Sequence, residues 1–140
     1  METDVRRKAR TLLTDSAAWL IANGWTAEAM FRDFAGQPIQ VMACPDTEVT
    51  IPVLGRSKVC SACMDGALHL NGREIAVVAE AELLLASYLR ESGLLPRTVV
   101  EGLEGPYDGI DVYNDLYAAS IAEAAGAMAF AAKHVPMGVK

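Results

Sequence analysis

Val59-Cys60-Ser61-Ala62-Cys63-Met64-Asp65-Gly66-Ala67-Leu68-His69-Leu70-Asn71-Gly72 holds two of the chain's three cysteines and one of its two histidines. Cys60, Cys63, Met64, Ala67 and Leu68 recur at the three- and four-residue steps that put side chains on one face of a helix. Ser57 stands where an N-cap is needed, since its hydroxyl can accept from a first-turn N–H. Gly72 stands where a helix stops, because glycine adopts the left-handed conformation at little cost. The spacing predicts a buried central helix between them. Gly66 in its middle costs about 1 kcal/mol against alanine, which points to a second stretch of backbone passing close by.

Toward the N-terminus, Val5, Ala9, Leu12, Leu13, Ser16 and Leu20 share a helical face from Asp4 to Asn23, and Gly24 is the stop. Thr26 reads as a fresh N-cap, with Trp25 and Met30 at the two positions of a hydrophobic staple. A short helix to about Asp33 follows from that reading, and Gly36-Gln37-Pro38 breaks it. Ile39–Met42 and Val49–Val53 have strand character around the turn-prone Cys44-Pro45-Asp46-Thr47, which gives a hairpin with Pro52 on an edge.

Toward the C-terminus, Val77, Val78, Ala81, Leu84, Leu85, Tyr88 and Leu89 form the stripe of a helix from Glu74 to Ser92, ended by Gly93. Between Pro96 and Tyr113, Thr98-Val99-Val100 fits a short strand or a helical turn, and Gly105-Pro106 and Asp108-Gly109 mark turns. The last helix is expected from Asn114-Asp115, one of which caps it, to about Lys133. Tyr113 is expected to pack on the central helix near Gly66. The fold class is therefore mainly α (α+β). It is one domain over residues 1–140, a bundle of about five helices with a small β-hairpin packed on it.

Hydrophobic residues make up 52% of the 140, and the formal net charge is −6. That acidity argues against a nucleic-acid partner, and the basic run Arg6-Arg7-Lys8-Ala9-Arg10 reads as a solvated helix face. No apolar run reaches the roughly 18 residues that span a membrane. The polar Thr11-Leu12-Leu13-Thr14-Asp15 does not make a signal core. Three cysteines without a secretory signature imply a reduced, cytoplasmic setting, with Cys60 and Cys63 unpaired and largely buried.

Cys63-Met64-Asp65-Gly66-Ala67-Leu68, with Gly72 after it, resembles the C-x-x-G-A-L core of a small uncharacterised family of actinobacterial and phage genomes. Tyr113-Asn114-Asp115 resembles the aromatic-Asn-Asp triplet of that family, which usually has Trp where Tyr113 stands. The opening helix ending in Gly24-Trp25, then Asp33-Phe34-Ala35-Gly36, fits the family's beginning. The resemblance implies a cytoplasmic protein of host or phage origin and no established activity.

Three constellations could carry chemistry. Cys60-x-x-Cys63 with Cys44 and His69 (or His134) has the residue types of a zinc site, although cysteines inside a regular helix pack as small hydrophobes. Cys63 near a helix N-terminus, with His134 as base and Asn114 as orienter, has the parts of a cysteine nucleophile. His69 lies roughly 120° around the helix from Cys63 and is poorly placed for that role. Asp108, Asp111, Asn114 and Asp115, with Glu101 and Glu104 upstream, could hold a hard cation, but such clusters before a helix are commonly turns and caps. The sequence favours a non-enzymatic binding protein without cofactor or metal, whose partner is a host protein or a second copy docked through the C-terminal helix. The alternative is a small cysteine enzyme or metal-binding domain centred on Cys63 and the Asp108–Asp115 segment.

Overall fold

The computed structural model describes residues 2–105 and 107–137. The protein is mainly α with a small β part. Helix α1 (Asp4–Asn23) is capped by Thr3, whose hydroxyl accepts from Arg6 N at 3.1 Å, and it ends at Gly24. It buries Ala9, Leu12, Leu13, Ser16, Ala17 and Leu20 against three other helices, α2 (Met64–Asn71), α3 (Ile75–Glu91) and α6 (Ile121–Ala131). These four share one hydrophobic core. Two short helices, α4 (Arg97–Glu101) and α5 (Asp108–Val112), connect α3 to a π turn over Tyr113–Tyr117. The Gly105–Pro106 turn expected from the sequence lies partly outside the described residues, and Asp108-Gly109 opens α5 rather than a turn.

The hairpin is present as β2 (Val41–Ala43) and β3 (Thr50–Pro52), antiparallel, with Val41 opposite Pro52 and Ala43 opposite Thr50. A second pair joins β1 (Phe31–Arg32) to β4 (Ser61–Ala62).

That second pair corrects the reading of the central stretch. Residues 59–63 are not helical, Ser61–Ala62 forming a strand, and α2 begins only at Met64 with Cys63 as its N-cap. The segment is threaded between two neighbours. Thr26 N donates to Ala62 O, Ala62 N to Gly24 O, Cys60 N to Arg32 O and Cys63 N to Met30 O, all at 2.8–3.1 Å. Backbone pairing on both sides satisfies groups that a helix would have paired internally. Gly24 has to be glycine here: its φ is +146°, and a Cβ would stand 3.0 Å from Cys60 O. The expected Thr26–Asp33 helix is likewise absent. That segment is a loop leading into β1 and folded around Arg32, which donates to Thr26 Oγ1 (2.6 Å), Gly36 O (3.0 Å) and Ala27 O (3.1 Å).

Gly66 does meet a second backbone, the Met30 carbonyl, into which a Cβ would collide. The crossing segment is thus the loop ahead of β1. The last helix also starts later than expected. Ser120, whose hydroxyl accepts from Glu123 N at 3.2 Å, is its cap, while Asn114 is buried and Asp115 exposed.

Candidate functional site

Three segments converge on the N-terminus of α2. Asn114, 2% exposed, sits at the junction. Its Oδ1 accepts from Trp25 Nε1 (2.8 Å) and Met64 N (2.9 Å), and its Nδ2 donates to Thr26 O (3.0 Å) and Asp115 Oδ1 (2.9 Å). One amide thus ties the loop, the first turn of α2 and the π turn together. Asp115 Oδ1 also accepts from Glu28 N at 2.9 Å. Glu28 has φ of +65°, a region where residues other than glycine are uncommon, and the Asp115 contact helps hold it there.

Beside this junction opens a cleft of about 300 Å³, lined by Glu28, Ala29, Met30, Cys63, Asp65, Asp111 and Asp115. Four of the seven residues are acidic and none is basic. Asp111 and Asp115 come from successive turns of one continuous helical stretch, α5 and the π turn, and so share a side. Asp65 comes from the first turn of α2. Burial, then the charges of Asp115, Asp108 and Glu82, push the Asp111 carboxyl up.

Behind the cleft lies a second group. Asp65, His69 and Glu82 bring ligand atoms within 4.8 Å of one another, the one such group of His, Cys, Asp or Glu among the described residues. His69 Nδ1 accepts from Thr50 N at 2.9 Å, so the ring proton is on Nε2, 3.2 Å from Glu82 Oε2. Burial, and then a hydrogen bond donated to Glu82 and the like charge of that group, push the Asp65 carboxyl well up. Burial also acts to raise Glu82, but hydrogen bonds from His69 and Asp65 outweigh it and bring that carboxyl down. Of the two, Asp65 is therefore the one that holds a proton more readily. A metal ion does not suit the trio. A ligating histidine needs a free Nε2 lone pair and gives its other N–H to an acceptor, whereas His69 meets a backbone donor at Nδ1.

The residues singled out in the sequence are placed differently. Cys63 Sγ accepts from Gly66 N at 3.1 Å and serves as the cap of α2. Burial first, then the charges of Asp65 and Asp111, push its thiol up to about 12, so at neutral pH it is not the thiolate a nucleophile requires. His134 is held elsewhere, 3.3 Å from Glu91 Oε1 and edge-on to Tyr88. Asn114 orients Trp25 and Met64, not a histidine. Cys63, His134 and Asn114 thus form no catalytic chain. Cys44, Cys60, Cys63 and His69 do not gather either: Cys44 is half-buried at the hairpin turn, Cys60 is exposed against the expectation of burial, and His69 faces Thr50 and Glu82. Of the acidic candidates, Asp111 and Asp115 line the cleft, while Asp108 Oδ2 accepts from Gly105 N at 2.7 Å. Glu101 pairs with Arg97 on the surface, and Glu104 is not among the lining residues.

No family model, curated protein or solved structure matches this chain. No helix among the described residues is long and apolar enough to cross a membrane.

Sequence reasoning missed Asp65, Glu82 and Glu28. A signal was present for the first two: Asp65 and His69 are four apart on one helical face, and Glu82 interrupts the apolar stripe of α3.

Proposed function

We propose that this chain is a non-enzymatic binding module that takes hold of a basic side chain on a partner protein through the acidic cleft. The observation that carries the reading is the lining itself, four carboxyl-bearing residues and no cation, in a chain of net charge −6. A concave site lined by one sign of charge concentrates the opposite sign. The buried, un-ionised thiol of Cys63 weighs against the cysteine-enzyme alternative. The resemblance at Cys63–Leu68 and Tyr113–Asp115 supports a cytoplasmic protein of actinobacterial or phage origin, with a host protein or a second copy as partner. The outward face of α6, where Phe130 is 63% exposed, is the surface for a second copy. The net acidity supports a role away from nucleic acid.

Amide chemical-shift mapping with the capped tripeptide acetyl-Gly-Arg-Gly-amide tests the cleft. The expected shifts cluster at residues 28–30, 63–66 and 111–115 and vanish in Asp111→Asn/Asp115→Ala. Shifts confined to α6 or the hairpin, or none at all, would contradict it.

A further inference from the structure

Asp65 and Glu82 are short of donors. Two carboxyl groups lie within 4.8 Å of each other and of His69, and the sole N–H of that ring goes to Glu82. His69 is kept from supplying a second, because Thr50 N occupies Nδ1. Asp65 Oδ1 is buried and meets no hydrogen-bond donor, and it stands 3.9 Å from His69 Nε2. A pair arranged like this needs one more positive charge, and in the free protein a shared proton is what can supply it.

Among the described residues, the groups around Asp65 leave no other source. From α2 come Cys63, as a neutral thiol, and His69. From α3 comes Glu82, from α5 and the π turn Asp111 and Asp115, and from the loop Glu28. All the carboxyl groups repel a second negative charge. The N-terminal dipole of α2 favours the ionised form, and burial next to Glu82 outweighs it.

We propose that the cleft takes a guanidinium group in exchange for the proton that Asp65 and Glu82 hold between them. This rests on the cleft being the recognition site. A compact metal ion does not match the lining, because Asp65, Asp111 and Asp115 do not bring oxygens within 4.8 Å of one another as a group. Donors fanned out over a plane reach separated carboxylates better than a point charge does. Ala29, Met30 and Cys63 supply an apolar wall for the methylene stem. On binding, the Asp65 O–H proton leaves to buffer and the guanidinium N–H groups take its place beside an ionised Asp65.

Calorimetry of acetyl-Gly-Arg-Gly-amide with the full chain, in buffers of different ionisation heat, tests the exchange. The lysine peptide is expected to bind several-fold more weakly and the citrulline peptide not at all. About one proton should be released per arginine peptide at neutral pH, and affinity should rise about tenfold per pH unit while Asp65 stays protonated. Glu82→Gln should cut the release several-fold, since it removes the neighbour that holds the proton. Asp65→Asn should abolish it. Arginine-peptide binding with no proton released would overturn the exchange and leave the cleft standing. No binding of any cationic peptide would overturn both.

Discussion

Two polar groups are sunk into the same corner of the protein, and they are treated in opposite ways. Asn114 has its acceptor and donors matched by Trp25, Met64, Thr26 and Asp115. Asp65, at the first turn of the helix Asn114 anchors, has a buried oxygen with no donor and a carboxylate neighbour in Glu82. A saturated buried amide fixes one geometry and asks nothing of a ligand. An undersupplied carboxyl pair stores a demand that a proton or a cation must meet. Counting donors against acceptors separates a structural polar residue from a receptive one, even when they are neighbours.

The comparison breaks most visibly on removing each group. Asn114→Ala strands Met64 N–H and the indole N–H, and is expected to cost about 3–5 kcal/mol, since each buried unmatched group is worth roughly 1–3. Asp65→Asn is expected to cost nothing at neutral pH and to add stability above it, because an amide imitates the protonated acid and donates to Glu82. Urea unfolding of both variants beside the parent checks this. Equal losses would show that the two groups play the same role.

The pH dependence sharpens the same contrast. The Asp65 carboxyl is raised in the folded protein above its ordinary unfolded value of about 3.9. The folded state therefore holds more protons than the unfolded one between those two values. Stability is fullest below the unfolded value and falls as pH rises through the folded one. Asp111, raised as well, adds to that fall. Melting temperatures of the parent should drop with rising pH over this window and those of Asp65→Asn should drop less, with parallel profiles counting against the assignment.

Glycines divide along similar lines. Gly66→Ala must push aside the Met30 carbonyl, at about 1–3 kcal/mol. Gly126→Ala meets nothing within 4 Å and gains up to about 1 kcal/mol of helix propensity. Thermal melts of the two single variants should move in opposite directions. The smallest expected effect is at Ser120, the cap of α6, where Ser120→Ala should cost about 1 kcal/mol without changing the arginine-peptide response.

Much of this architecture is legible in the chain. The bounds of α1 follow from a continuous apolar stripe and a glycine stop, and α3 and the hairpin follow from equally local patterns. What escapes is set by distant partners. Cys60 and Cys63 have helical spacing, yet the strand pairing of 61–62 with 31–32 is long-range and overrides it. Asn114 has the residue type of a cap, but three of its four partners lie 50 to 89 residues away in the chain. The close approach at Gly66 was readable from one glycine in a helix; that its neighbour is Met30 was not. The Asp65–Glu82 pair left a weaker trace, because the spacing of Asp65 and His69 is also that of an ordinary surface pair.

The proposed exchange requires that Asp65 carry a proton in the folded protein at neutral pH. Carbon-13 NMR of its side-chain carboxyl, followed through a pH titration of the peptide-free protein, tests it most directly. The account predicts the protonated carboxyl shift at pH 7 and a midpoint well above that of ordinary aspartates, moving down in Glu82→Gln. A carboxylate shift at pH 7, with a midpoint near 4 and no response to Glu82→Gln, would contradict it.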